Sequence, residues 1–252
     1  MIEIRNVSHR IGGATILDNI STRLPSGALT ALIGPNGAGK STLLNLIARL
    51  VRLQQGCISV DGLDLARTAS RDLALRLAVL AQQTTIGSRL RVRELVGFGR
   101  WPHHQGRPGA LDEAAVEAAL DAFDLAPLAQ RFLDELSGGQ CQRAFVAMTF
   151  AQGTDWLLLD EPLNNLDMAH ARALLARLRK LVSSGGKSVV LVVHEVNYAA
   201  AWADHIVAMR DGRILAEGPP LEVLTPVILR DLFGMDITVA EHGGRPLVLH
   251  HV

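Results

Sequence analysis

Strands alternating with helices, most of the strands apolar throughout, predict an α/β fold on a largely parallel sheet covered on both faces. Three observations carry this. Leu29–Ile33 is a continuous apolar run that ends in a Gly-rich turn and leads into a helix. Trp156–Leu159 and residues 188–193 are further apolar runs of strand length, each with helical periodicity after it. From about residue 84 to 130 helical patterns follow one another with no strand between them, so a helical insertion interrupts the alternation.

Residues 2–7 alternate apolar and polar and predict a strand. After Leu29–Ile33 the spacing predicts a helix from Lys40 to about Val51. Residues 58–60 form a strand closing on Asp61-Gly62, and Leu77–Leu80 is a short buried strand. Residues 93–99 and 111–123 are helical, and Trp101 to Gly109 between them reads as a loop by its Pro and Gly content. Residues 168–182 form an amphipathic helix with Leu174, Leu175, Leu178 and Leu181 on one face. The strand 188–193 leads to a short helix through Trp202. Residues 205–209 and 213–216 flank Asp211-Gly212, a good hairpin turn. Residues 219–234 read as helical, and the last residues add a strand or two.

Composition narrows the function. The 252 residues suffice for one large domain or two small ones. At 48% hydrophobic and 20% charged the chain is globular rather than disordered or fibrous. Its formal charge is zero, so the chain as a whole is not built to adhere to nucleic acid. Cys57 and Cys141 lie far apart with no metal-ligand spacing and read as the reduced thiols of a cytosolic protein. No apolar stretch approaches the ~20 residues of a spanning helix, and no secretory leader is visible. A role at a membrane would then run from the cytoplasmic side, through a partner.

Gly34-Pro35-Asn36-Gly37-Ala38-Gly39-Lys40-Ser41 fits G-x-x-x-x-G-K-[ST] between a strand and a helix, the context this phosphate loop requires. With this composition a chance match has a probability of roughly two in a thousand. The glycines let backbone N–H groups turn inward around phosphate oxygens, and the helix N-terminus adds partial positive charge. Lys40 reaches the β and γ phosphates as a point charge, Ser41 is a Mg²⁺ ligand, and Thr42 continues the phosphate-binding set. Only three of the 25 basic residues are lysine, so a lysine kept at position 40 is one that an arginine fork does not replace.

The apolar strand 156–159 ends in Asp160-Glu161-Pro162. Carboxylates at a buried strand terminus are costly unless paired, and Mg²⁺ supplies that pairing for Asp160. Glu161 would then orient or deprotonate the water that attacks the γ-phosphate. Leu136-Ser137-Gly138-Gly139-Gln140 opens a helix running to Gln152, with Ser137 as its cap. This is a second anion site in the same chain. One mononucleotide does not need two, so the second belongs economically to another copy's nucleotide.

Leu-Ser-Gly-Gly-Gln between the phosphate loop and Leu-Leu-Leu-Asp-Glu is very specific, and nearly the whole chain resembles the ATPase subunit of an ATP-binding-cassette (ABC) transporter. The resemblance implies a P-loop NTPase core of RecA type over residues 1–83 and 151–252, with an antiparallel β layer near the N-terminus. Residues 84–150 would form a helical subdomain bearing the signature. It implies a head-to-tail homodimer with two ATP molecules between subunits, each phosphate loop facing Ser137, Gly138, Gly139 and Gln140 of the other copy. Gln82 matches the glutamine that contacts Mg²⁺ and leads toward the transporter; Gln83 is the adjacent alternative. Asn164-Asn165-Leu166-Asp167 matches the loop that crosses the dimer interface, and His194 the histidine that contacts the γ-phosphate. The aromatic that usually stacks on adenine is missing from Val7-Ser8-His9-Arg10-Ile11, which leaves His9 or Ile11 to cover the base.

Residues 93–100, 156–167 and 203–209 are similar to the iron-siderophore import ATPases. The expected function is therefore ATP hydrolysis powering ferric siderophore uptake at the cytoplasmic face of the membrane. The alternatives are a haem or vitamin B12 importer, an exporter, or a soluble non-transport cassette. The expected partners are integral membrane permease subunits and, indirectly, a periplasmic or lipoprotein substrate-binding protein, with no nucleic acid. The cargo itself never touches this subunit. His103-His104 lack further ligands at useful spacing, His242, His250 and His251 read as solvated residues, and Cys141 reads as a small buried residue. Trp101 is either an ordinary packed aromatic or part of a groove for a membrane partner's helix.

Overall fold

The computed structural model describes residues 1–82, 89–164 and 166–249. Gln83, Asn165, His250 and His251 lie outside the described residues. The chain divides into two compact units: Met1–Thr68 with Ser188–Val252, and Ala69–Lys187.

Among the described residues the first unit holds strands of three sheets. One is antiparallel, with Ala14–Leu24, Ile2–Ile11, Gln55–Val60 and Leu63–Asp64 side by side in that order. The strand expected over residues 2–7 continues to Ile11. Its period-two pattern is interrupted because pairing shifts register between Ile4 and Val7, where Asn6 takes a φ of 51°. The buried face therefore reads Ile2, Ile4, Val7, His9, with one spacing of three.

The second sheet centres on Leu29–Ile33, buried at every position. Ser188–Val192 pairs parallel on one side (Leu29 opposite Val189) and His205–Arg210 parallel on the other (Thr30 opposite His205). Arg213–Gly218 closes the far edge as a hairpin through Asp211-Gly212. A strand flanked on both sides and covered on both faces has no polar face, which explains its uninterrupted apolar sequence.

From this strand the chain enters the helix Lys40–Ile47, which stops short of Val51. Arg49 turns left-handed at φ 55°, and its guanidinium donates to the carbonyls of Leu65 and Thr68 at 2.9 and 2.6 Å. Leu50, read as helical, is exposed. Residues 219–234 form two helices, Pro220–Val223 and Pro226–Phe233. Thr225 caps the second through the Ile228 N–H, and Pro226 has no N–H with which to continue the first. The hairpin Thr238–His242 with Arg245–Leu249 is clasped by Asn197, whose amide bonds both backbone groups of Val248 at 2.8 and 3.0 Å. Asn197 stands on the helix Val196–Trp202.

In the second unit Leu77–Leu80 and Trp156–Leu159 pair parallel. Helices Ser70–Ala74, Val92–Phe98, Ala110–Ala122, Gly138–Ala151 and Met168–Gly185 make up most of the rest. Among the described residues from 89 to 150 every named element is helical, apart from one isolated bridge between Arg91 and Phe132. The expected loop at Trp101 is corrected at its start: Trp101–His104 makes one helical turn, with Pro102 where its missing N–H does no harm. Arg100, largely covered, fixes this turn by donating to Asp112 and to the carbonyls of Ala151 and Gln152. The Gly109 N–H first, and the Arg100 guanidinium as well, hold the Asp112 carboxyl below the usual carboxylate range. No helix among the described residues is long and apolar enough to cross a membrane.

Candidate nucleotide site

In the first unit the phosphate loop follows directly from the buried strand Leu29–Ile33, so a rigid element aims it. Gly39 precedes the helix Lys40–Ile47 at φ 94°, and a Cβ there would stand 2.6 Å from Leu17 Cδ2 and 2.9 Å from the Ile16 carbonyl oxygen. Gly34, at φ 141°, would place a Cβ 2.0 Å from the Met209 carbonyl oxygen. Both positions exclude a side chain twice over, by conformation and by space. Gly37 and Asn36 are exposed at the tip, and Ala38 is buried with its N–H on the Pro35 carbonyl at 3.2 Å. Ser41 and Thr42 are half-buried in the first turn.

Lys40 is 5% exposed, and its Nζ donates to the carbonyls of Gly34 and Pro35 at 2.8 and 2.9 Å. A buried ammonium needs such acceptors. The loop carbonyls hold the charge at the centre of the loop, and no side chain caps the helix that starts there. His194 is exposed two residues beyond Ser188–Val192.

His9 is a correction. It is 3% exposed, on the inward face of Ile2–Ile11, because the register shift at Asn6 carries the buried face through position 9. An imidazole so enclosed offers no face to a base. Ile11, in the same strand, is 55% exposed.

In the second unit Asp160 continues the pairing of Trp156–Leu159, its N–H on the Leu80 carbonyl at 2.9 Å, and is 2% exposed. Glu161 is 9% exposed and turns the chain at φ 52°. Two neutral amides converge on one of its carboxylate oxygens: Gln82 Nε2 donates to Oε2 at 2.8 Å, and Asn164 Nδ2 donates to the same atom. Gln82 is the glutamine that the family resemblance singles out, whereas Asn164 has no side-chain role that the sequence alone indicates. The signal available was Pro162, which at the second position of a four-residue turn brings residue 164 back beside 161.

Ser137 caps Gly138–Ala151 reciprocally: Gln140 N–H donates to its Oγ at 3.3 Å, and Ser137 N–H donates to Gln140 Oε1 at 3.1 Å. Ser137 and Gly138 are exposed, and a Cβ on Gly139 would stand 3.1 Å from Leu166 Cδ2. Burial pushes the Cys141 thiol up. Asp167 caps Met168–Gly185 by accepting from the His170 N–H and from His170 Nδ1, both at 2.8 Å. The His170 N–H first, then its ring, hold this carboxyl below the usual range. His103 Nε2 bonds the Gln152 carbonyl at 2.7 Å, and Trp101, which packs edge-on against His104, is 56% exposed. Among the described residues no group of three or more His, Cys, Asp or Glu is arranged to hold a metal.

The family model described as ABC transporter matches residues 17–164, from before the phosphate loop to beyond Glu161. The chain belongs to the ABC transporter family. It is an ATP-binding, ATP-hydrolysing cassette of the P-loop α/β class, with its two motif-bearing segments on separate compact units. This ABC cassette is 44% identical over 239 residues, 95% of each chain, to the petrobactin import ATP-binding protein YclP of Bacillus subtilis. It is 40% identical over 259 residues, 98% of each chain, to the hemin import ATP-binding protein HmuV of Bordetella pertussis. Among solved structures it is similar to a protein described as a metal-chelate type ABC transporter in an inward-facing conformation (TM-score 0.85, 26% identity, 98% and 96% of the two chains). It is also similar to the dimeric cassette MJ0796 in a post-hydrolysis state with ADP and Pi (TM-score 0.78, 26% identity, 87% and 98%).

Proposed function

We propose that this cassette powers the uptake of a ferric siderophore as the ATPase subunit of an importer. The observation that carries the reading is the 44% identity, over 95% of both chains, to a petrobactin import ATP-binding protein. The hemin relative at 40% identity favours haem as the second reading.

In this reading residues 34–42 wrap the triphosphate, Lys40 balances its charge, and His194 contacts the γ-phosphate. Ile11, rather than His9, covers adenine. By the family resemblance Ser41, Gln82 and Asp160 are the Mg²⁺ ligands, and their hydroxyl, amide and carboxylate oxygens are each the hard donor that Mg²⁺ takes. Bound there, Mg²⁺ would neutralise phosphate charge. Glu161 accepts a proton from, or orients, the attacking water for in-line displacement, and the protein's contribution is mainly positioning and charge.

Ser137, Gly138, Gly139 and Gln140 serve the nucleotide of a second, head-to-tail copy, and Asp167 lies in the loop between copies. Residues 1–83 and 151–252 act as the nucleotide-binding core, and residues 84–150 as the helical subdomain that transmits closure to permease subunits. The cassette works at the cytoplasmic face of the membrane, with a substrate-binding protein reached only through the permease. The dimeric relative with bound ADP and Pi supports the nucleotide part of this reading.

The test is ATP-dependent uptake into vesicles holding the whole complex, offered ferric siderophores, haem and B12 in turn. Accumulation of a ferric siderophore is expected. Transport of haem alone moves the cassette to the second reading, and transport of B12 alone removes both.

A further inference from the structure

The turn after Glu161 does more than change the chain's direction. Its N–H at Asn164 bonds the Glu161 carbonyl at 3.2 Å, with Pro162 at the second position, so the backbone itself returns Asn164 to Glu161. The Asn164 side chain then donates to Glu161 Oε2, the atom that also accepts from Gln82 at 2.8 Å. One amide arrives from beyond the strand Leu77–Leu80, the other from the turn. Both donors are neutral, so they fix the direction of the carboxylate without supplying a counter-charge, and neither can take up a proton at neutral pH. The left-handed backbone at Glu161, uncommon for a residue with a side chain, is held by the same turn.

We propose that Asn164 is a positioning residue for Glu161: its side-chain amide, paired with that of Gln82 on Oε2, holds the carboxylate in one orientation for water activation. This deepens, and rests on, the reading of Glu161 as the group that handles the attacking water. Asn164 itself touches neither nucleotide nor water in this account. Its effect belongs to the chemical step and not to nucleotide affinity.

The test compares Asn164→Ala, Asn164→Asp, Asn164→Ser and Glu161→Gln in the full chain, by steady-state ATP hydrolysis with Mg²⁺ present and by direct ATP binding. Asp keeps the shape and replaces the donor with an acceptor; Ser restores a shorter donor. Asn164→Ala is expected to lower kcat about tenfold with KM for ATP within about twofold of wild type, the scale of one hydrogen bond to a charged group. Asn164→Asp lowers kcat further, Asn164→Ser recovers part of it, and ATP binding stays at the wild-type level in all three. Wild-type kcat in both the Ala and Asp variants, with Glu161→Gln inactive, overturns the role of Asn164 while leaving that of Glu161 intact. A raised KM at unchanged kcat overturns it as well. Turnover at the wild-type rate in Glu161→Gln removes the underlying reading instead, whatever the Asn164 variants do.

Discussion

Lys40 Nζ lies 2.8 Å from the carbonyl oxygen of Gly34, the first residue of its own loop. A buried cation thus braces the loop through neutral acceptors, and an anionic phosphate is a stronger acceptor than either carbonyl.

Lys40→Ala is therefore expected to lose nucleotide affinity itself, by at least about tenfold in Kd measured by titration calorimetry. Lys40→Arg does not restore it, because the planar fork is larger than the ammonium and the position is only 5% exposed. Undiminished ATP binding by Lys40→Ala would take this side chain out of the site.

Glu161→Gln should bind ATP with near wild-type affinity and accumulate as an ATP-bound dimer, with turnover down by a hundredfold or more. Light scattering with and without ATP, together with phosphate release, reads both quantities.

Asp167→Ala removes the cap of Met168–Gly185 and should lower Tm by a few degrees near neutral pH. The folded-state carboxyl is held below its ordinary value, so its stabilisation is fully present above the unfolded value of 3.8 and is lost as pH falls through the folded one. Thermal melts of both proteins should accordingly converge below about pH 4. A difference that grows with acidification contradicts the cap.

Raising of the Cys141 thiol by burial leaves less thiolate at any given pH. Iodoacetamide at pH 8 is expected to label the exposed Cys57 first, as peptide mapping over time would show. Faster labelling of Cys141 would mean that the start of the signature helix opens more than its packing indicates.

Motifs that depend on neighbours in sequence are legible from the residues alone. Gly34 to Ser41 is a local device whose glycines, lysine and flanking elements lie within one strand–turn–helix. The cap at Ser137 is equally local, because its partner Gln140 is three residues away. His9 was misread because its burial depends on a register shift three residues earlier, where Asn6 breaks an otherwise alternating strand. The helix end at Ile47 was overrun because Leu50 and Val51 continue the apolar spacing, while the stop comes from Arg49 reaching carbonyls 16 and 19 residues on. The Asn164 contact is legible only through its neighbour, because Pro162 rather than the residue type at 164 is what returns the chain to Glu161.

The tight seat of Leu166 against Gly139 links two segments far apart in the sequence. Asn164, two residues earlier, donates to the Glu161 carboxylate, while Leu166 lies against the opening turn of the helix Gly138–Ala151. A side chain added at position 139 would therefore press first on Leu166, two residues from the amide that holds Glu161.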